Sequence, residues 1–435
     1  MREGLGRDRA ILRLAVPALA TLAVDPLVSL IDTAFVGRLG TEELAALAIA
    51  VAIFGVAFFL FNFLAYGTTP LVAQATGAGD RRRASEVVIQ ALGVAGLLGI
   101  ALFVAVQVAA APLVRVMGAG EVTDPALAYL RLRAFALPAV LLITAAHGAF
   151  RGYQDTTTPL RVTLGLNVLN LVLDPLLIFV LGWGLEGAAA ATVIAQWVGA
   201  LWFLDLILRR RREELHISIR WPDLGSLPRF LRAGGQLIVR TAALLGVYTL
   251  ATAVAARVGT VELAAHQIAS QLWLFLALSV DALAISAQAL VGAAVGGADT
   301  REVRLVARRL TQLGLIAGLV LGGAVWLGRV PVAGWFTTAP ATAEVAAVLL
   351  GFVAILQPIS GLVFVWDGVF IGAGRFRFLA VTTVAASVLS AGLLLLVPVV
   401  GWGVEGVWLA IAGMMIARLV LVGARYRPLV RTPPA

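Results

Sequence analysis

The sequence predicts an all-α integral membrane protein of twelve transmembrane helices arranged as two six-helix lobes. Three observations predict it. Apolar stretches of about twenty residues or more recur twelve times, and that length crosses a hydrocarbon core of roughly 30 Å. Arginines crowd alternate connections and nearly vanish from the others. Pieces of the first half return in the second at one constant displacement.

Composition sets the class. Of 435 residues, 61% are hydrophobic and 13% charged, with a mean hydropathy of +0.98. A soluble domain is nearer half apolar and about a quarter charged. The apolar runs are continuous instead of alternating over ten residues, which argues against a β-barrel. Cysteine is absent, which excludes a disulfide framework and thiol chemistry. The formal net charge of +9 comes from Arg alone, with no Lys. Those arginines sit in connections at regular intervals, so the charge points to membrane topology and away from nucleic acid.

In chain order, the segments lie near 11–37, 44–74, 85–112, 125–149, 159–183, 187–208, 234–256, 262–292, 306–328, 342–371, 379–400 and 404–424. The opening MREGLGRDRAILRLAVPALA reads as a cytoplasmic tail entering the first helix and not as a removable signal. One set of connections holds Arg81 to Arg83, Arg151, Arg209 to Arg212, Arg301, Arg304, Arg375 and Arg377. The other holds Arg38, Arg115, Arg257 and Arg329, with Arg131 and Arg133 near one end. By the positive-inside rule, both termini and the even-numbered connections are expected in the cytoplasm of a multi-pass plasma-membrane protein.

The longest polar connection begins at Arg209, and it divides the chain into residues 1–208, a cytoplasmic linker 209–233, and residues 234–435. The halves are repeats. VGRLGTEELAALAIA at 36–50 matches AARVGTVELAAHQIA at 255–269, GAGD at 77–80 matches GGAD at 296–299, and GWGLEG at 182–187 matches GWGVEG at 401–406. Each pair is displaced by 219 residues, which marks a duplication. Six helices per copy is an even number, so the copies share one orientation about a pseudo-twofold axis along the membrane normal. A polar basic turn between helices accounts for GAGDRRR at 77–83; no phosphate-binding GxxxxGK[ST] occurs.

Acids inside apolar segments carry the functional signal, because a charge there needs a partner or a proton. In the fifth segment, Thr163, Asn167, Asn170 and Asp174 are spaced by four, three and four, which sets them on one helical face. Pro175 follows and frees the carbonyl of Leu171. Asp32, in the first segment, is expected to meet this stripe and form a cation or proton site. The oxygens of Asp32, Asn170, Asp174 and Thr192 offer ligands for Na⁺, or a hydrogen-bonded cage for H⁺. Asp25 lies seven residues before Asp32 on the same face; it joins the site or satisfies the turn broken by Pro26. In the second half, Asp281 and Asp367 form a second cation site or bind a cationic substrate. The structural alternative is an ion pair with Arg240. Under the 219-residue displacement, Asp367 faces Gly148. His147, His266 and Gln267 read as packing residues.

The assembled motifs resemble the multidrug and toxic compound extrusion family, in its DNA-damage-inducible F branch. The residues that carry the resemblance are RLAVPALA at 13–20, SLIDTAFVGRLG at 29–40, QATGAGD at 74–80, NVLNLVLDPLL at 167–177, GAAAATV at 187–193, AAHQIASQLW at 264–273, SVDALAISAQA at 279–289 and WDGVFIGAGR at 366–375. The resemblance implies a V-shaped pair of lobes and cation-coupled export, by alternating access, of drugs or other organic compounds, with cationic or amphipathic ones expected, and with no cofactor and no enzymatic step. It implies a coupling site at Asp32, Asn170, Asp174 and Thr192, a first helix that bends at Pro17, and a second-lobe acid at Asp367. H⁺ is the expected coupling ion and Na⁺ the alternative. A monomer in a lipid bilayer is expected. The other readings are a lipid-linked precursor flippase of the same superfamily and a major-facilitator-type transporter.

Overall fold

The computed structural model describes residues 2–117, 120–218, 225 and 227–431, with side chains throughout except at 2–5, 56–60 and 430–431. Every element among them is helical: α1 Arg2–Gly37, α2 Thr41–Phe61, α3 Phe63–Gly77, α4 Arg81–Val116, α5 Thr123–Ala134, α6 Leu137–Gly152, α7 Thr157–Pro175, α8 Gly184–Asp205, α9 Leu227–Val258, α10 Thr260–Gly296, α11 Thr300–Phe336, α12 Pro340–Gly372, α13 Phe376–Val400 and α14 Gly403–Arg431. Short π-turns extend α7 over Leu176–Val180 and α8 over Leu206–Arg210, and a single 3₁₀ turn precedes α5.

Among the described residues, ten helices are long and apolar enough to cross a membrane, and α5 with α6, bent by 46°, makes an eleventh. The remaining expected segment, 44–74, falls on α2 and α3, which divide at Asn62.

The chain forms two compact units, one of Val16–Leu231 and one of Met1–Ala15 with Arg232–Ala435. The boundary falls inside α1, between Ala15 and Val16, one residue before Pro17. In the second unit the start of α1 is held on α11: Arg7 forks onto Glu302 at 3.0 Å, and Asp8 accepts from Arg309 at 2.5 and 2.7 Å. Ser286 donates to the Ile11 carbonyl at 3.4 Å. The described start of the linker folds onto the first unit. Arg211 bridges to Asp155 at 2.6 Å, and Tyr153 donates to the Leu215 carbonyl at 3.0 Å. Residues 219–224 and 226, within the expected linker, lie outside the described residues.

Local chemistry repeats along with the sequence. Asp80 caps α4 by accepting from the Arg83 amide at 2.9 Å, and Asp299 caps α11 through the Glu302 amide at 2.8 Å. The residue before each cap is left-handed, Gly79 at φ 72° and Ala298 at φ 53°. Gly suits that conformation and Ala is strained in it, so the second copy tolerates a strain that the first avoids.

Glycine also sets how helices cross. A Cβ on Gly148 of α6 would lie 2.9 Å from the Ala65 carbonyl of α3. A Cβ on Gly368 of α12 would lie 2.5 Å from the Ala284 carbonyl of α10. Ala65 and Ala284 are 219 apart, but Gly148 and Gly368 are 220 apart. The second copy therefore carries one extra residue between these points. That corrects the sequence register: Asp367 is the counterpart of His147 and not of Gly148. Along α11, Gly314, Gly318 and Gly322 face carbonyls of α12 in the same close fashion, the small-residue packing common between membrane helices.

Candidate functional site

The first unit brings its predicted acids and amides together. α7 presents Thr163, Asn167, Asn170 and Asp174 on one buried face, with Asp174 only 1% exposed. The face ends at Pro175, whose ring cannot donate to Leu171, and the helix continues as the π-turn over Leu176–Val180. Such turns recur at functional sites because they re-aim side chains. α8 crosses the turn closely at Gly187, where a Cβ would meet the Leu177 carbonyl at 2.8 Å.

α1 lies along this face. Asn167 donates from Nδ2 to Asp25 Oδ1 at 2.9 Å and to the Thr163 carbonyl at 2.8 Å. Two turns further on, the carboxyls of Asp32 and Asp174 interact with each other, and Asp174 also faces Asn170. Yet Asp32 Oδ1, both Asp174 oxygens and Asn170 Nδ2 are buried with no partner in good hydrogen-bond geometry among the described residues. Two carboxylates in an apolar setting cannot both stay ionised and bare. The arrangement has room in its chemistry for one shared proton or one small cation. Among the described residues no group of three or more His, Asp or Glu could hold a metal ion, so Na⁺ would rest on two carboxylates plus neutral oxygens. Thr192 donates to the Ala188 carbonyl at 3.0 Å and keeps its lone pairs.

Two residues at this site escaped the sequence reading. Tyr129 and Arg133 of α5 lie within electrostatic reach of Asp32, and Tyr129 also of Asp174. Arg133 sits over the Phe54 ring at 5.6 Å. Its signal was its position inside an apolar segment, where the sequence reading assigned it to a loop. His147 reads as a packing residue in the structure too: it meets Thr163 at 3.3 Å and the Phe203 ring edge-on at 5.3 Å.

In the second unit, the predicted pairing of Asp367 with Arg240 is present, and a second arginine joins it. Asp367 Oδ2 accepts from Arg240 Nη2 and from Arg418 Nη2 of α14. Asp367 and Arg418 are 3% and 2% exposed. This carboxylate is therefore committed to two guanidiniums and is not a bare acid awaiting a cation. Asp281 lies half-buried on α10. Arg418 was visible as an arginine inside the last apolar segment, but nothing local named its partner.

The family model MatE matches residues 17–176 and again 237–396, which restates the duplication. The chain is 39% identical to Protein DETOXIFICATION 44, chloroplastic, of Arabidopsis thaliana over 431 residues, covering 96% of this chain and 82% of that protein. It is 27% identical over 426 residues to DNA damage-inducible protein F of Escherichia coli (strain K12), covering 95% and 92%. A crystal structure of MATE in the bent conformation superposes with a TM-score of 0.90 at 24% identity, covering 97% of this chain and 96% of that one.

Proposed function

Since the chain belongs to the MatE family of multidrug and toxic compound efflux transporters, we propose that it is an H⁺-coupled antiporter that exports small organic compounds by alternating access. The observation that carries this reading is the Asp32–Asp174 pair, buried together with three oxygens that no donor among the described residues satisfies. A proton between them removes a charge from the polar face of α7. Na⁺ on Asp32, Asn170, Asp174 and Thr192 is the competing occupant.

An antiporter needs its cation and its substrate to compete through conformation, and a ligand moves such an equilibrium only by differential affinity. Protonation from outside neutralises the pair. α1 then bends at Pro17 or Pro26, where helical hydrogen bonds are already missing. That bend disfavours bound substrate and releases it, and deprotonation toward the cytoplasm resets the cycle. Both termini are cytoplasmic in this scheme, the chain works as a monomer, and the membrane is the plasma membrane. The two sequence repeats, 1–208 and 234–435, act as lobes joined by the 209–233 linker, with the start of α1, through Ala15, packed in the unit of the second repeat.

A second reading concerns substrate charge. Export of organic anions is favoured by one observation: Asp367 is already held by Arg240 and Arg418, and a substrate carboxylate can compete for the same guanidiniums. The experiment is a proton-flux assay in vesicles against cationic, neutral and bile-salt-like compounds. Substrate-driven proton movement supports the antiport reading. Export driven by a Na⁺ gradient alone overturns it.

A further inference from the structure

α11 ends at Phe336 and α12 begins at Pro340. Between their adjoining turns lies a groove of about 740 Å³ whose walls include Trp326, Val348, Phe352 and Ile355, with Arg329 and Glu344 as its charged groups. Its polar end is layered. The Trp326 ring rests on α12 at Gly351, where a Cβ would be in ordinary contact at 3.6 Å. The Arg329 guanidinium stacks over the same ring, 4.0 Å from its centroid. This stacking holds the guanidinium in one plane. Arg329 Nη1 is buried, and it has no hydrogen-bond partner among the described residues. A buried donor left unmet is destabilising, so an acceptor from outside the chain fits here.

The location says which acceptor. This is the end of α11 opposite its Asp299 cap, at the limit of an apolar span. In a bilayer that level holds the lipid headgroups, where Trp and Arg anchor membrane proteins. A planar guanidinium matches a phosphate. Glu344, exposed beside it, supplies the opposite charge. Among the described residues Arg329 and Glu344 form no ion pair with each other, so neither charge is neutralised by the other.

We propose that this groove binds one phospholipid with a primary-amine zwitterionic headgroup. Its phosphate lies on Arg329, its ammonium on Glu344, and an acyl chain runs along Val348, Phe352 and Ile355. Headgroup chemistry separates the choices. A primary ammonium donates hydrogen bonds to a carboxylate, a quaternary ammonium cannot, and a glycerol headgroup lacks the positive charge.

The test is native mass spectrometry of the purified full chain in detergent with phosphatidylethanolamine, phosphatidylcholine and phosphatidylglycerol in equal amounts. The wild type should retain phosphatidylethanolamine preferentially. Arg329→Gln should lower that retention about tenfold, as expected for loss of a charge-assisted hydrogen bond. Glu344→Gln should abolish the preference over phosphatidylglycerol. Thermal unfolding without added lipid checks that both variants are folded. Equal retention of the three lipids by the wild type, or preference for phosphatidylglycerol, overturns the proposal without reference to any variant.

Discussion

Asn167 of α7 donates from Nδ2 to Asp25 Oδ1 of α1 at 2.9 Å, and so ties the two helices that carry the candidate site. The same amide also donates to the Thr163 carbonyl at 2.8 Å, which fixes its rotamer. This bond sits two turns from the Asp32–Asp174 pair on both helices. It therefore sets how the two carboxyls face each other.

Asp25 is expected to act by position and Asn167 by donation. Asp25→Asn keeps an acceptor oxygen and should retain most transport. Asn167→Ala removes the donor and should lower transport about tenfold or more, the scale of a hydrogen bond to a charged group. Initial transport rates in vesicles check both. Equal losses in the two variants would assign Asp25 to the coupling chemistry itself.

Asp32→Asn should abolish proton-coupled export while the protein still folds and inserts. Reciprocity requires substrate to weaken proton binding by the factor that protons weaken substrate binding. Substrate affinity in detergent should fall as pH drops through the titration of the pair, and the variant should flatten that dependence. A wild-type affinity independent of pH would refute the coupling role.

Asp367→Ala should destabilise the second unit by about 3–5 kcal/mol, because it leaves the buried Arg418 and the partly buried Arg240 without their shared carboxylate. Adding Arg418→Met should recover much of the loss, since a thioether needs no counter-ion. Thermal unfolding of the two variants measures the difference. A double variant no more stable than Asp367→Ala would mean that the cluster is not held by this pairing.

Asp155 offers a pH signature outside the membrane. Burial pushes its carboxyl upward, but hydrogen bonds from Arg211 and Thr158 outweigh that and hold it below the ordinary value of 3.8. A folded-state value below the unfolded one contributes stability that is complete above the unfolded value and lost as pH falls through the folded one. Arg211→Gln should therefore lower the melting temperature at neutral pH, and the gap from wild type should close as acid protonates Asp155. A gap that persists in acid would assign the effect to packing of Arg211 on the Phe150 ring, 5.4 Å away.

Topology is open to reporter fusions. Fusions at residues 80, 155, 300 and 375 should report cytoplasm, and those at 40, 118 and 335 the outside, following the arginine asymmetry. A fusion at 80 that reports outside would break both the twelve-span count and the shared orientation of the repeats.

The sequence by itself determined the class, the near-positions of the spans, the duplication and the polar face of α7. These follow from local facts. A bilayer demands continuous apolar length, and a helix places residues three and four apart on one side. Thr163, Asn167, Asn170 and Asp174 could thus be assigned to one face without knowing what faced them. What met that face was a tertiary matter: Asp25 reaches Asn167 across 142 positions, and Tyr129 and Arg133 arrive on a third helix. The second arginine on Asp367 stands 51 positions away on α14, and no periodicity links the two. The register of the repeats was decided by contact as well. The close crossings at Gly148 and Gly368 reveal the extra residue that pairs Asp367 with His147, and the matching GAFRG at 148–152 and GVFIG at 368–372 carry the same displacement. Pattern reports which side of a helix is polar. Which helices come close enough for those sides to touch depends on backbone crossings, and single glycines far from the charges set them.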